Sequence, residues 1–536
     1  MLGCRGRQSH LLVAVNDPDP SVFSKLASAV FALAVGLYVA ARLWNLTAYS
    51  LFPGEVFSVR AARHDWSGMI AFLARDIVHP PLFYLLLKAW IGIGGESLLW
   101  LKLFPVLISI ATIFPFFLLC RELRLRAAGI NLALVLMAAN GYLIFYAQGV
   151  RMYSLLLLLT VCSMWLFVRF FNSAGRPKHH LVALFAVNLL LVYTQYYGWL
   201  VVCLEGIFLL FWGRHKLRPF AISVAGMILC FSPWVYTVAQ VSMPQLRERG
   251  LEDNLGWLGR PTLLGDLRLY YVNLNGHFHF PIDMLQLLLF GVPVLLWVWH
   301  VLRSQGKDPG QATTFWWLFL LSFLPAVLSY AASQVLPQSV WHPRYLIIVA
   351  APYMILVVIA IGRLRPSWVR TATTILMVSW AILAGFKALN EDNAIFRVKW
   401  EYLVRQMIQA ESPGDNNLKV YAIHSLAPAV SFYLEQAHET RFQVEQKELS
   451  EIMREDTTAQ AGGDHFWVAG FFSKHPVQKA LIEGGYQVGE GFEDRQKAFL
   501  FPVWRRSGQR SVDRHVARSI QYTRRRSLIM INKEDT

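Results

Sequence analysis

The chain has 536 residues, a mean hydropathy of +0.40, 55% apolar residues and only 16% charged ones. That balance excludes a soluble protein of this size and predicts a polytopic α-helical membrane protein, because several stretches hold about 18–22 apolar residues, enough to cross a ~30 Å hydrocarbon core. The net charge of +16 sits mainly in short loops and the tail, which is a signal of membrane orientation and implies no nucleic-acid partner.

In chain order, residues 1–22 are read as a cytoplasmic segment, followed by a retained first helix over roughly 23–44, which lacks a small-residue cleavage site. Further spans are read at about 98–120, 128–147, 152–171, 180–194, 198–212, 219–240, 284–303, 314–335, 345–362 and 370–389. The count is thus eleven, within a range of about 11–13. The run 81–95 (PLFYLLLKAWIGIGG) is short and carries Lys88 mid-run, so it is read as an interfacial or partly re-entrant helix. Basic clusters near Arg121–Arg126, Arg169–Lys178, Arg214–Arg218, Arg303–Lys307 and Arg363–Arg370 order the spans. If all of these face the cytoplasm, the N-terminus is inside. The loops at 47–82, Gln148–Arg151, 241–283 and Trp341–Arg344 then lie outside, together with everything after residue 390.

Beyond residue 390 the pattern changes to alternating strand and helix signals. Examples are LKVYAIHS, APAVSFYLEQ, DHFWVAGFF, VQKALIEGGYQV and KAFLFPVW. This predicts a small extramembrane α/β domain over 390–504. Residues 505–536 hold nine Lys or Arg against three acidic residues. They are read as a disordered basic tail, either solvated or resting on anionic membrane lipid. No cysteine falls in the C-terminal region, so neither a disulfide framework nor a cysteine metal site is implied.

The chemistry-bearing residues concentrate in the outer loop 47–82 and at three other outer corners. The loop contains Glu55, Asp65, Asp76, His64 and His79, and carboxylates at a membrane surface are costly enough to suggest function. The remaining corners supply Gln148, Arg151 and Tyr153, then Tyr196 and Tyr197, then His342, Arg344 and Tyr345. A carboxylate in one loop with arginines in others suits glycosyl transfer from a lipid phosphate. The carboxylate takes the acceptor proton, and the guanidinium forks bind the departing phosphate. It equally suits a transporter or flippase of lipid-linked sugars with charges along a path.

Each residue also has a plain structural alternative. Glu55 can favour a helix N-terminus, Asp76 can pair with Arg75 at the surface, and Arg151 and Arg344 can snorkel. His79 precedes two prolines that fix an extended turn, and Tyr196 and Tyr197 can belong to an aromatic belt. Asp266 reads as a solvated loop charge. His277 and His279 form a His-x-His pair with no evident third ligand, so no metal site is assigned; a divalent cation is allowed but not implied.

The order of these motifs resembles the GT-C superfamily of polyprenyl-phosphate-dependent glycosyltransferases, in the bacterial branch of protein O-mannosyltransferase-like and aminoarabinose transferase-like enzymes. The resemblance rests on Pro53-Gly54-Glu55-Val56-Phe57-Ser58, on His79-Pro80-Pro81-Leu82-Phe83-Tyr84-Leu85, and on Gln148, Arg151 and Tyr153. It continues through Tyr193-Thr194-Gln195-Tyr196-Tyr197-Gly198, then Arg344-Tyr345 ahead of Pro352, and Trp400 before Pro413-Gly414-Asp415. It covers about residues 25–505.

The resemblance implies that 23–389 is a GT-C-like catalytic domain in the inner membrane, with a periplasmic C-terminal domain. It further implies a hexosyl or pentosyl transferase, passing sugar with inversion from a polyprenyl-phosphate donor to a lipid, glycan or protein acceptor. Substrate contacts would come from His79, Gln148, Arg151, Tyr153, Tyr196, Tyr197, Arg344 and Tyr345. One departure stands out. The family's Asp-Glu pair has Gly54 at its first position here, which leaves Glu55 as base, Asp76 as base, or a catalytically inactive member acting as a binding protein.

Overall fold

The computed structural model describes residues 25–173, 178–249, 258–276, 282–303, 309–390, 398–412, 417–423, 426–455, 465–471, 474–494 and 498–505. The chain divides into two compact units. The first comprises Met1–Trp44 and Ala61–Asn390, and the second Asn45–Arg60 and Glu391–Thr536, so the boundary falls inside helix Pro53–Arg63.

The first unit is a helical membrane domain. Among the described residues, eight of its helices are long and apolar enough to cross a bilayer, from Lys25–Leu43 to Ser367–Asn390. Helices Ala127–Ala139 and Gly141–Gln148 form a further span bent by 59°, and Lys178–Thr194 and Gly198–Trp212 are shorter apolar helices. At 13 residues, helix Leu82–Gly94 is only about 20 Å long, too short to cross. Its Lys88 turns to the carbonyls of Ala62 (3.0 Å) and His64 (2.5 Å) at the C-terminal end of helix Pro53–Arg63, where a cation offsets the negative end of the helix dipole.

Burial sorts these helices. Pro343–Gly362 has 94% of its most apolar window inside the protein and Tyr153–Asn172 has 78%, so these two form the centre. By contrast Lys25–Leu43, Arg214–Met243 and Ser367–Asn390 expose residues such as Leu33, Leu229 and Leu383. Large apolar side chains left open on a hydropathic helix are the surface a bilayer covers.

The bent span raises a problem of polar bookkeeping, since backbone groups freed at membrane depth need internal partners. Asn140, at the bend, accepts from Leu143 N through Oδ1 (2.9 Å) and donates from Nδ2 to Leu274 O (2.5 Å). Arg42 is fully buried, and its guanidinium supplies the other donors. It donates to Met137 O (3.1 Å), Ala138 O (3.3 Å), Tyr38 O (3.1 Å) and Ser109 Oγ (3.0 Å). Helix Ser367–Asn390 closes over the same bend through small residues. A Cβ on Gly385 would fall 2.3 Å from Ala139 O, so only glycine fits there.

The second unit is an α/β domain built on a six-stranded sheet: β1 (Leu418–Ala422), β2 (Phe442–Gln446), β3 (His465–Gly470), β4 (Tyr486–Val488), β5 (Phe492–Glu493) and β6 (Phe499–Arg505). The order is β2-β1-β3-β6-β4, with β5 also on β6. Strands β1, β2 and β3 are parallel, whereas β6 runs antiparallel to β3 and β4. Strand β3 is buried along nearly all its length, as expected of a strand covered on both faces, and Val468, Leu481, Phe499 and Phe501 anchor the core. The stretch from Asn45 joins this unit through backbone bonds. Ser50 N donates to Val398 O (3.1 Å) and Leu51 N to Tyr433 Oη (2.6 Å), while Arg60 pairs with Glu435 at 2.9 Å.

Arg42 gives a direct test of the bend. Arg42→Ala leaves three carbonyls and Ser109 Oγ without this donor. It should lower stability by roughly 3 kcal/mol or more, read as a drop in melting temperature in detergent. Arg42→Lys should recover only part of the loss because an ammonium lacks the guanidinium fork. An unchanged melting temperature in Arg42→Ala would contradict this role.

Candidate active site

The site lies in the helical unit and starts from one turn. Helix Trp66–Asp76 ends at Asp76, and the chain reverses through Ile77, which has φ 65°. Val78 N donates to Asp76 O at 2.7 Å, the short i to i+2 bond of a positive-φ γ-turn, a rare and strained form. A β-branched residue in this region is a backbone outlier of the sort that clusters at functional sites. Pro80 then restricts His79 to an extended conformation. The result is that Asp76 and His79 face each other, with Asp76 Oδ2 2.5 Å from His79 Nδ1.

The other imidazole nitrogen, Nε2, lies 2.7 Å from Arg151 Nη2. A guanidinium only donates, so Nε2 accepts and the ring proton sits on Nδ1, pointing at Asp76. The three side chains form one line: carboxylate, neutral imidazole, guanidinium. Arg151 also reaches the Tyr84 hydroxyl across a long 3.4 Å contact. Burial alone would raise the Asp76 carboxyl, but His79 and Arg151 override it and hold the group below the usual carboxylate range. For His79, burial lowers the imidazole below its ordinary value. Asp76 opposes this, and the guanidinium groups of Arg151 and Arg344 add to it. Asp76 stays partly open, with 24% of its side chain exposed against 10% for His79, so a substrate can reach the carboxylate.

The remaining walls come from two other corners. Tyr142 Oη donates to Pro343 O (2.7 Å) at the start of the 3₁₀ turn Pro343–Val349, which carries Arg344 and Tyr345. The Arg344 guanidinium carbon lies 5.4 Å from the Tyr345 ring centre. His342 Nδ1 accepts from Arg344 N at 3.3 Å; burial and the Arg344 charge keep that imidazole neutral, well below its ordinary value. Tyr197 Oη donates to Val340 O (2.5 Å), which leaves Ser329 Oγ to donate to it across 2.6 Å, and its ring packs 5.4 Å from Tyr345. Tyr196 accepts from Trp234 Nε1 (3.0 Å) and is close enough to feel the Asp76 charge. Tyr153 is buried 4.9 Å from Tyr146. Its hydroxyl has no hydrogen-bond partner among the described residues.

The structure therefore gathers Asp76, His79, Arg151, Tyr153, Tyr196, Tyr197, Arg344 and Tyr345 in one unit. Gln148 does other work, donating to Arg42 O (3.2 Å) and Trp44 O (2.8 Å) at the end of the first helix. Glu55 belongs to the second unit, where its Oε2 accepts from Phe52 N at 2.7 Å and caps its own helix. Asp266 likewise closes a local turn on Thr262. Tyr84 and Tyr146, which the sequence does not mark as substrate contacts, also border the site; Tyr84 sits five residues after His79, in the first turn beyond the proline pair. His277 and His279 lie outside the described residues. Among the described residues, no three His, Cys, Asp or Glu side chains gather as metal ligands.

No family model matches the sequence, and no curated protein matches it either. Solved structures do match. ArnT from Cupriavidus metallidurans bound to undecaprenyl phosphate superposes with a TM-score of 0.56 at 13% identity, covering 90% of this chain and 98% of that one. Its apo form gives 0.55 at 13% identity, with 89% and 97% covered. The oligosaccharyltransferase AglB from Archaeoglobus fulgidus, in complex with an inhibitory peptide and a dolichol-phosphate, gives 0.52 at 12% identity, with 91% and 75% covered. At such identities the likeness is one of fold: this multi-pass membrane protein has the GT-C fold with a C-terminal α/β domain.

The directions of the two shifts fix a pH dependence. Both His79 and Asp76 bind protons less readily folded than unfolded. Stability should therefore fall as pH drops below the ordinary histidine value of about 6.5, and again through the carboxylate range near about 4. In melts between pH 7 and 5, His79→Gln should show a flatter loss than wild type. Equal slopes would contradict a neutral, buried His79.

Proposed function

We propose that the protein is a membrane glycosyltransferase that takes a sugar from a polyprenyl-phosphate carrier and passes it, with inversion, to a hydroxyl acceptor on the outer face of the inner membrane. The observation that carries the reading is the line Asp76–His79–Arg151 with Arg344 alongside. It pairs one reachable carboxylate with two guanidinium groups. The lipids bound in the fold neighbours, undecaprenyl phosphate and a dolichol-phosphate, support a donor of the same chemistry.

In this reading the acceptor oxygen attacks the anomeric carbon as the bond from that carbon to the phosphate oxygen breaks. Asp76 takes the acceptor proton. Arg151 and Arg344 balance the charge that gathers on the departing phosphate, and His79 holds Arg151 in a single orientation. The acceptor is a lipid, glycan or protein, and Tyr153, Tyr196, Tyr197 and Tyr345 border the sugar and the lipid head. Glu55 serves as a helix cap, so Gly54 in place of an aspartate does not by itself remove the base. Residues 390–504 would face the periplasm.

Transfer of radiolabelled sugar from a panel of polyprenyl-phosphate donors in purified membranes tests the assignment. Asp76→Asn should lose at least about 10²-fold in turnover, and Arg344→Ala about 10²–10³-fold, whereas Glu55→Gln should remain active. Full turnover in Asp76→Asn, or loss in Glu55→Gln alone, would move the base to Glu55.

A further inference from the structure

A second polar cluster lies inside the helical unit, and the proposed reaction does not use it. Glu205 on helix Gly198–Trp212 is 1% exposed, Asn188 on Lys178–Thr194 is 1% exposed, and Ser163 on Tyr153–Asn172 is fully buried. Ser163 Oγ lies 2.7 Å from Glu205 Oε1 and 2.6 Å from Asn188 Oδ1, and Asn188 Nδ2 lies 2.8 Å from Glu205 Oε2. No Lys, Arg or His among the described residues pairs with Glu205.

Counting hydrogens settles the state of the carboxyl group. Two of the three contacts join oxygen to oxygen through Ser163 Oγ, yet a serine hydroxyl has one hydrogen. If it goes to Asn188 Oδ1, the contact with Glu205 Oε1 needs a hydrogen on the glutamate. Turning the Asn188 amide over does not help. Its amino group then feeds Ser163 and Ser163 feeds Glu205 Oε1, but the amide oxygen faces Oε2 at 2.8 Å with no hydrogen between them. Both assignments lack one proton, and only the carboxyl group can carry it. A metal cation is a poor substitute, because oxygens 2.6–2.7 Å apart are spaced for a shared hydrogen and not for a coordinated ion.

We infer that Glu205 is an uncharged carboxylic acid, a one-proton binding site inside the membrane domain that locks three helices together. An ionisable group at this depth is otherwise expensive, and a fully satisfied network is the arrangement in which buried polar groups hold helices together. Losing the proton would leave a buried charge and set two oxygens against each other. The two helices that bear Asn188 and Glu205 are joined by the corner holding Tyr196 and Tyr197. The lock therefore also positions that corner, a consequence that rests on the function proposed above; the proton itself does not.

Infrared difference spectroscopy of wild type against Glu205→Gln, on purified full-length protein at neutral pH, reads the proton directly. The expected result is a protonated-carboxyl C=O band in wild type that disappears in Glu205→Gln. That variant should also keep wild-type yield and melting temperature, because its amide nitrogen supplies the missing hydrogen. Asn188→Asp, which removes amide hydrogens, should unfold at lower temperature. A spectrum with no band assignable to Glu205, or a Glu205→Gln protein that loses stability while Asn188→Asp keeps it, would overturn the inference. Neither outcome depends on sugar transfer.

Discussion

The helical unit depends most on how Arg151 is held. A buried guanidinium needs acceptors, and here the key one is a neutral imidazole whose far nitrogen is fixed by a carboxylate. That arrangement gives the arginine a fixed direction at a site lined by tyrosines and a second arginine. It also explains the strained turn at Ile77: without that reversal, Asp76 at its helix end and His79 three residues later would not meet. Strain of this kind persists only where the surroundings over-determine it; here the paired prolines and helix Leu82–Gly94 fix the far side of the turn.

The same constraint, that polar groups within a bilayer must find partners inside the protein, shapes the rest of the unit. Arg42 gathers carbonyls beside the bent span, Asn140 caps the second half of that span, and Glu205 is satisfied by Ser163 and Asn188. Arg42 and Asn140 reach segments about a hundred residues away, whereas Glu205 ties together three successive helices. The apolar surface left on the outer helices does the opposite work, facing lipid without specifying partners.

Much of this was legible in the sequence. The long apolar helices follow from hydropathy alone, and the order of the His79, Arg151 and Arg344 motifs anticipates the GT-C fold. Other features were not legible. The run 128–147 reads as one continuous span, because its break depends on Asn140 bonding to Leu274, 134 residues away. Strand β2, FQVEQ, is a polar edge strand with a weak alternation, so it gives little signal. The Asp76–His79 pairing is hidden because it requires a β-branched residue in a backbone region that local preference opposes. Glu55 and Asp76 look equivalent as letters in one loop, and only the fold assigns them to different units.

The most direct measurement is binding of undecaprenyl phosphate to the purified protein, followed by the phosphorus resonance of the lipid, in wild type and in Arg151→Gln. If the guanidinium held by His79 is the phosphate site, wild type should bind saturably and the variant at least about tenfold more weakly, a difference of roughly 1.4 kcal/mol. Equal binding by a folded Arg151→Gln protein would contradict the account and leave the Asp76–His79–Arg151 line as a structural brace.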